Sequence, residues 1–216
     1  MPIPSFLSPS SLNLSAQAPS ALATGGSPAP QKHRLAFSIE KQEQANWCWS
    51  AVSVSVERFY DSNSTRTQCS LANEALQRQD CCADGGPAQD KCNKPWYLDR
   101  VLTITRNYDH MDASSLSFSD IVQQLNAGSA IGCRIGWFGG GGHFAVIIGS
   151  LVAASGTRYV DIADPIWPES QVAFDDFPSS YQTGGDWTHT YFTRPATAGG
   201  AAVAFSTIDD PNTLGA

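Results

Sequence analysis

The stretch QEQANWCWSA, residues 42–51, leads into the first strong helical pattern of the chain. Val52, Val56 and Phe59 follow at positions i, i+4 and i+7, which is the spacing of one buried helical face. We therefore expect a helix over residues 47–60, with Cys48 in its first turn. Backbone N–H groups and the positive end of the helix dipole favour thiolate over thiol at such a position. Cys48 is accordingly the candidate nucleophile.

The front half of the chain is predicted to be helical and the back half to form a sheet. Further helices are expected at residues 70–78, from Pro95 onwards, and after a Ser117 cap as far as Gly128. Strands are expected at residues 130–137, 143–151, 157–163 and 187–193. Helices followed by an antiparallel sheet predict an α+β fold, with the active cleft where the two parts meet.

A nucleophilic cysteine needs a histidine as its base, and the chain has four histidines. His143 follows four glycines, residues 139–142, and opens a predicted apolar strand, so it can face a cleft while its strand is fixed in the core. His33 lies in a linker, His110 in a polar loop, and His189 alternates with aromatic residues on a sheet face. His143 is therefore the predicted base.

A carboxylate at the end of a neighbouring strand is expected to orient the imidazole through Nδ1. Asp164 ends the predicted strand 157–163 and precedes Pro165. Asp161 is the competing candidate. Strand alternation places these two carboxylates on opposite faces, and the residue at the strand end is the better placed at the rim of a cleft.

The tetrahedral intermediate of acyl transfer needs hydrogen-bond donors, here the backbone N–H of Cys48 and a side-chain amide before it. Gln42 is the predicted amide donor, and Gln44 is the reserve. The residues predicted to contact substrate are Trp49, Trp137 and Gly142, and a core role is the alternative for Trp137.

The six cysteines divide into a cluster of four and two single residues. The cluster consists of Cys69, Cys81, Cys82 and Cys92, and its spacing favours two disulfides over a zinc site, which prefers Cys-x-x-Cys pairs. Adjacent cysteines rarely bond each other, so the middle two are expected to pair outward, with the connectivity left open. Cys133 lies in an apolar strand and is predicted to be a buried free thiol.

The 216 residues provide for one domain, predicted over residues 34–195, between a disordered tail or linker at 1–33 and a loose tail at 196–216. The net charge is −7 without a cluster of basic residues, so neither nucleic acid nor a membrane is an expected partner. We expect a monomer that acts on polypeptides and needs no metal or organic cofactor.

Three motifs together resemble those of papain-like cysteine peptidases over about residues 36–195. They are Gln-x5-Cys-Trp at a helix start, Gly-His-Phe-Ala-Val-Ile at the opening of a strand, and Asp-Pro at the close of the next one. Residues 46–51 are most similar to the bacterial branch, which includes bacteriocin-leader peptidases and secreted plant-pathogen effectors. The resemblance implies peptide hydrolysis through a thioester, with Cys48 as nucleophile, His143 as base, Asp164 as orienting carboxylate and Gln42 as oxyanion donor.

Two features depart from parts of that group. Plant and lysosomal relatives usually have asparagine where this chain has Asp164, and cytosolic leader-processing domains lack the four-cysteine cluster. The cluster therefore predicts secretion or export from a bacterium, although no standard signal is visible in the first 30 residues. The alternatives are a transglutaminase-like acyltransferase toxin with the same triad, and a catalytically silent scaffold that binds peptides.

Overall fold

The computed structural model describes residues 31–83 and 91–197, so the predicted tails at 1–30 and beyond 197 lie outside the described residues. Helices α1–α4 and strands β1–β7 build the described part. In chain order they are β1 (Gln31–Arg34), α1 (Cys48–Tyr60), α2 (Gln68–Leu76), α3 (Leu98–Ile104), β2 (Tyr108–Asp112), α4 (Phe118–Asn126), β3 (Ile131–Trp137), β4 (Gly142–Val152), β5 (Arg158–Ala163), β6 (Ser170–Ala173) and β7 (Gly185–Thr193).

Helix α1 is the central helix of the fold. It packs against α2, α3 and β4, and residues 49–56 are all buried, not only the predicted stripe. Its buried serines bond to backbone carbonyls: Ser50 to Gln68 O at 2.9 Å, and Ser53 to Trp49 O at 2.8 Å. Because these hydroxyls are satisfied, the helix can be enclosed on all sides without the free-energy cost of unpaired polar groups.

The other helices begin and end close to the predicted limits. Helix α2 begins two residues earlier than expected, because Thr67 and Ser70 form a reciprocal capping box at its start. Helix α3 begins at Leu98 instead of near Pro95, whereas Ser117 caps α4 as predicted. None of the described helices is long and apolar enough to cross a membrane.

The seven strands form one antiparallel sheet in the order β2-β7-β3-β4-β5-β6, and β1 pairs with β4. Residues 143–150 of the central strand β4 are all buried. Because β4 and β5 run antiparallel, the start of β4 and the end of β5 lie at the same edge of the sheet. The predicted α+β class, with helices packed on a C-terminal antiparallel sheet, is confirmed.

Three strands were not predicted. Residues 31–33, which the sequence places in the tail, belong to β1 and pair with residues 150–152 of β4, so this part of the tail prediction is wrong. Strand β2 includes the polar segment around His110 that was interpreted as a loop, and β6 is short. All three strands are short, and none of their residues is buried. They therefore lack the alternation of apolar and polar residues that marks a half-buried strand.

The predicted disulfides are present, and the structure gives their connectivity. Cys69 bonds Cys82, and Cys81 bonds Cys92. Each of the two adjacent cysteines is therefore bonded to a partner outside the pair, as expected. Cys133 is buried with a free thiol, as predicted. The first disulfide joins α2 to the segment that begins at residue 81, and the second joins that segment to the one that begins at residue 91.

Candidate active site

Cys48 is the first residue of α1 and is partly exposed, and it lies near enough to the imidazole of His143 to raise the pKa of that imidazole. Trp47 precedes the helix without a side-chain cap, so no capping side chain occupies the N–H groups at the start of the helix. The amino end of a helix stabilises negative charge, and this is the position that a thiolate nucleophile needs.

His143 is the second residue of β4 and is only 3% exposed. Its Nε2 lies 2.9 Å from both carboxylate oxygens of Asp164. The expected contact of the carboxylate with Nδ1 is wrong, because Nε2 faces Asp164. Because Asp164 occupies Nε2, it is Nδ1 that is left for the thiol of Cys48.

Asp164 directly follows β5, and its side chain folds back over the next turn. Its Oδ1 accepts hydrogen bonds from the backbone N–H groups of Ile166 at 2.8 Å and Trp167 at 3.2 Å, and its Oδ2 accepts one from the Tyr181 hydroxyl at 2.9 Å. The carboxylate is buried and held from three directions besides the imidazole. Aspartate side chains often accept hydrogen bonds from backbone N–H groups two or three residues later in a turn, and Asp164 does so here.

The electrostatic balance at His143 favours imidazolium. Burial lowers its pKa, but the hydrogen bond to Asp164 and the proximity of Cys48 outweigh burial, and together these effects raise the pKa of His143 to about 9. The imidazole is therefore protonated at neutral pH in this arrangement, as a thiolate–imidazolium pair requires.

Two tryptophans enclose the imidazole. The ring of Trp137 stacks on it at a centroid distance of 5.9 Å, and Trp167 meets it edge-on at 5.3 Å. The two indoles also contact each other at 6.0 Å. Their apolar faces exclude water from the His143–Asp164 contact, which strengthens the electrostatic interaction there.

Asp161, the competing carboxylate, lies elsewhere. It bonds Arg34 at 3.1 Å and Gln171 at 2.8 Å, and it covers Gly149 so closely that a Cβ there would lie 2.4 Å from its Oδ2. Asp161 is thus occupied in tying β1 and β6 to β5.

Gln42, the predicted oxyanion donor, is half-buried and uses its amide within its own loop. Its Nε2 donates to the backbone carbonyls of Gln44 at 2.9 Å and Ala45 at 2.7 Å, while its Oε1 is buried without a partner. Both amide hydrogens are therefore engaged in this structure, and the side chain must turn to reach a substrate oxygen.

The three residues predicted to contact substrate have different surroundings. Trp49 is 0% exposed and donates from Nε1 to Lys94 O, so it cannot contact substrate, because the residue after Cys48 on a helix points about 100° away from it. Trp137 is partly exposed beside His143, and Gly142 is an exposed neighbour of the same histidine. For these two the substrate role stays a prediction.

Residues 92–94 hold the start of α1, a contact that no pattern in the sequence indicates. Four hydrogen bonds join the two segments: Asn46 N to Asn93 Oδ1 (2.8 Å), Asn46 Nδ2 to Asn93 O (3.1 Å), Trp47 Nε1 to Cys92 O (2.7 Å) and Trp49 Nε1 to Lys94 O (3.0 Å). We call residues 92–94 the clamp segment. The disulfide Cys81–Cys92 fixes its first residue to the body of the protein.

One cluster of possible metal ligands occurs within the described ranges, formed by Asp80, Cys81 and Cys92. Its two sulfur atoms are bonded to each other in the second disulfide and therefore offer no thiolate to a metal. The site around His143 needs none for the chemistry described below.

A thiol on a central helix beside an imidazole–carboxylate pair on an antiparallel sheet is the arrangement of the papain-like cysteine proteases. A family model described as "Papain-like cysteine protease AvrRpt2" matches residues 31–182, from the first residue of β1 to the residue after Tyr181. The chain therefore belongs to this family of bacterial effector proteases, and it is a cysteine protease, a hydrolase. No curated protein matches the chain. Of the two bacterial groups in the predicted resemblance, the match is to the effectors.

Proposed function

We propose that the chain is a cysteine endopeptidase in which Cys48, His143 and Asp164 form the catalytic triad. The observation that carries the proposal is the division of the imidazole between its two partners. Asp164 takes Nε2 with both carboxylate oxygens, and Cys48, on the other side of the site, also raises the pKa of the same ring. One proton on each ring nitrogen gives an imidazolium placed between two anions.

The reaction follows from that arrangement in two steps. The Cys48 thiolate attacks the carbonyl carbon of the scissile bond, and the Nδ1 proton of His143 passes to the leaving amine as the C–N bond breaks. Neutral His143 then takes a proton from water, whose oxygen attacks the thioester and releases the new carboxyl end. The thiolate and imidazolium are restored.

The oxyanion of each tetrahedral intermediate needs two donors. The backbone N–H of Cys48 is one, and we propose the Gln42 amide as the other, after it releases Gln44 O or Ala45 O. The unpartnered Oε1 of Gln42 supports such a turn, because the present rotamer leaves one buried polar atom unsatisfied.

We also propose that the protein is exported from the bacterium that makes it. Two disulfides close a short segment next to the nucleophile helix, and disulfides persist in oxidising surroundings but are rare in the reducing cytosol. Their presence in every purified molecule, measured by intact mass before and after reduction, tests this part of the proposal.

The rate of iodoacetamide labelling between about pH 5 and pH 9 tests the triad. We expect one label per chain, on Cys48, because the four clustered cysteines are bonded and Cys133 is buried. Labelling should be fast near pH 6 in the wild type and in Cys133→Ala, and slow in His143→Ala. Slow labelling of the wild type, with the pH profile of an ordinary thiol, would contradict the proposed triad.

An unfolded, carboxymethylated protein substrate separates hydrolysis from acyl transfer. In water enriched in oxygen-18, hydrolysis places one heavy oxygen at each new carboxyl terminus, and acyl transfer to an added polyamine places the amine there. We expect the heavy oxygen even with the polyamine present, and Cys48→Ala should yield neither product.

A further inference from the structure

Tyr181 contributes a buried phenol to the back of the candidate site. The residue is 3% exposed, and its hydroxyl donates to Asp164 Oδ2 at 2.9 Å. It lies in the loop between β6 and β7, and no pattern in the sequence distinguishes it from the loop residues around it. Its hydroxyl is bonded to Asp164, so a role for it in the chemistry acts through that carboxylate.

The loop holds Tyr181 in a fixed position. Its backbone N–H donates to Pro178 O at 3.0 Å, and its carbonyl accepts from Gly184 N at 2.9 Å. Its ring packs edge-on against Trp167 at 6.3 Å and lies 5.6 Å from the ring of Phe177. The hydroxyl therefore has little freedom to leave the carboxylate.

The orientation of the Asp164 carboxylate depends on donors at both of its oxygens. The backbone N–H groups of Ile166 and Trp167 hold Oδ1, but only the phenol and the imidazole reach Oδ2 among the hydrogen bonds of the described residues. Without the phenol, the carboxylate can rotate about its Cβ–Cγ bond and lose its symmetric approach to Nε2.

We propose that Tyr181 is a positioning residue of the triad, which holds the plane of the Asp164 carboxylate against His143 Nε2 and withdraws part of its negative charge. The proposal rests on the proposed function. It predicts that loss of the hydroxyl has two effects at once: the carboxylate becomes less ordered, and it becomes a stronger electrostatic partner for imidazolium. The first effect lowers turnover and the second raises the pKa of His143.

The charged and titratable groups around this contact leave Tyr181 as a donor. Burial, followed by the charge of Asp164 and the hydrogen bond to it, raises the pKa of Tyr181, and the Gln182 side chain opposes this only in part. Cys133, behind the site on β3, has its pKa raised by burial and by Asp164, so it stays a neutral thiol. The remaining titratable groups here are His143 and Cys48, which the mechanism already uses.

The experiment compares Tyr181→Phe with Tyr60→Phe in the full chain. Tyr60 is a matched control, because its hydroxyl makes one hydrogen bond of 2.8 Å, to Thr193 Oγ1, away from the site. The titration midpoint of His143 is measured by NMR on histidine-labelled protein, with the resonance assigned from His143→Gln. Values of kcat and KM are measured on a peptide substrate.

In Tyr181→Phe we expect kcat to fall roughly tenfold at nearly constant KM, in line with the loss of a hydrogen bond to a charged group. The His143 midpoint should move to higher pH by roughly half a unit or more. Tyr60→Phe should change neither quantity. An unmoved or lowered midpoint in Tyr181→Phe, or equal losses in both variants, would overturn the proposal. If the wild type shows no cleavage that depends on Cys48, the proposed function fails, and the NMR midpoint still decides the role of Tyr181.

Discussion

His143 is the residue at which the electrostatics of the site can be measured most directly. Its imidazole is enclosed by two tryptophans, and its two nitrogens have different partners, so its protonation reports on both of them. With a pKa raised to about 9, the imidazolium form persists through neutral pH. Activity should therefore decline on the alkaline side as this proton is lost, because the leaving amine then has no acid.

The variant Asp164→Asn tests this at the level of one atom. Asparagine Oδ1 can keep the N–H groups of Ile166 and Trp167, and its Nδ2 can donate to the Tyr181 oxygen, so the fold should be retained. Removing the negative charge should move the alkaline limb of the kcat/KM profile from about 9 to lower pH. At pH values between the two limbs, activity should fall by about tenfold for each unit of displacement.

An alkaline limb in Asp164→Asn that coincides with the wild-type limb would mean that the carboxylate does not sustain the charge of His143.

The raised pKa of His143 also makes the stability of the folded protein depend on pH. Because the folded state holds this proton more tightly than the ordinary value of 6.5 allows, the stabilisation is fully present below about pH 6.5. It is lost as pH rises through about 9. His143→Gln should remove that part of the pH dependence of unfolding.

The first turn of α1 and the clamp segment, residues 92–94, form the unit that positions the nucleophile. Four hydrogen bonds from residues 46–49 end on this short segment, which one disulfide anchors. A helix start without a side-chain cap depends on such outside contacts for its geometry. The geometry of Cys48 is therefore tied to the Cys81–Cys92 bond.

Replacing each disulfide separately tests this link. The two bonds close loops of similar size, with sequence separations of 11 and 13, so Cys81→Ser/Cys92→Ser and Cys69→Ser/Cys82→Ser should each cost about 2–4 kcal/mol of stability. Only the first pair frees the clamp segment. We expect kcat/KM, measured well below both melting temperatures, to fall clearly more in the first double variant. Equal activities would show that the clamp segment positions nothing.

The sequence predicted the elements that carry an apolar helical stripe or a continuous apolar run. Helix α1 and strand β4 belong to this class, and they carry Cys48 and His143. The Asp-Pro at the end of β5 added the carboxylate. The clamp segment and Tyr181 could not be predicted, because a backbone carbonyl or a phenol that meets its partner only in the folded chain leaves no periodic signal. The ring nitrogen of His143 that faces Asp164 could not be predicted either, because it depends on the orientation of the imidazole in the folded protein.

At the scale of the whole molecule, β1 and β3 pair with the same side of β4: β3 with its first part and β1 with its last part. Arg34, with a side chain 34% exposed, pairs with Asp161, which is 4% exposed, and also with Glu169. One arginine thus connects the first strand to β5 and to the segment that leads into β6. This explains why the domain begins earlier than the composition of residues 1–33 indicated.

Arg34→Ala should therefore destabilise the domain by about 1–3 kcal/mol, because the buried Asp161 loses a charged donor and keeps only Gln171. Lys32→Ala is the matched control, since it removes one positive charge from an exposed position of the same strand. Its effect should stay within about 0.5 kcal/mol. Urea unfolding of both variants measures the difference, and equal midpoints would show that β1 contributes no more than a surface segment.

Strand β7 lies between β2 and β3, so the sheet that supports the candidate site can form only after β7 has been synthesised. Synthesis delivers α1 well before this strand, and long-range strand pairing is the slow part of folding. Trp187 of β7 pairs with Ile135 and packs on Phe177, beside the loop that holds Tyr181, so the support of Asp164 is assembled late. A nascent or unfolded chain therefore carries its thiol for some time without a working base. If the proposed triad is the active site, the order of assembly itself delays proteolysis until β7 is in place.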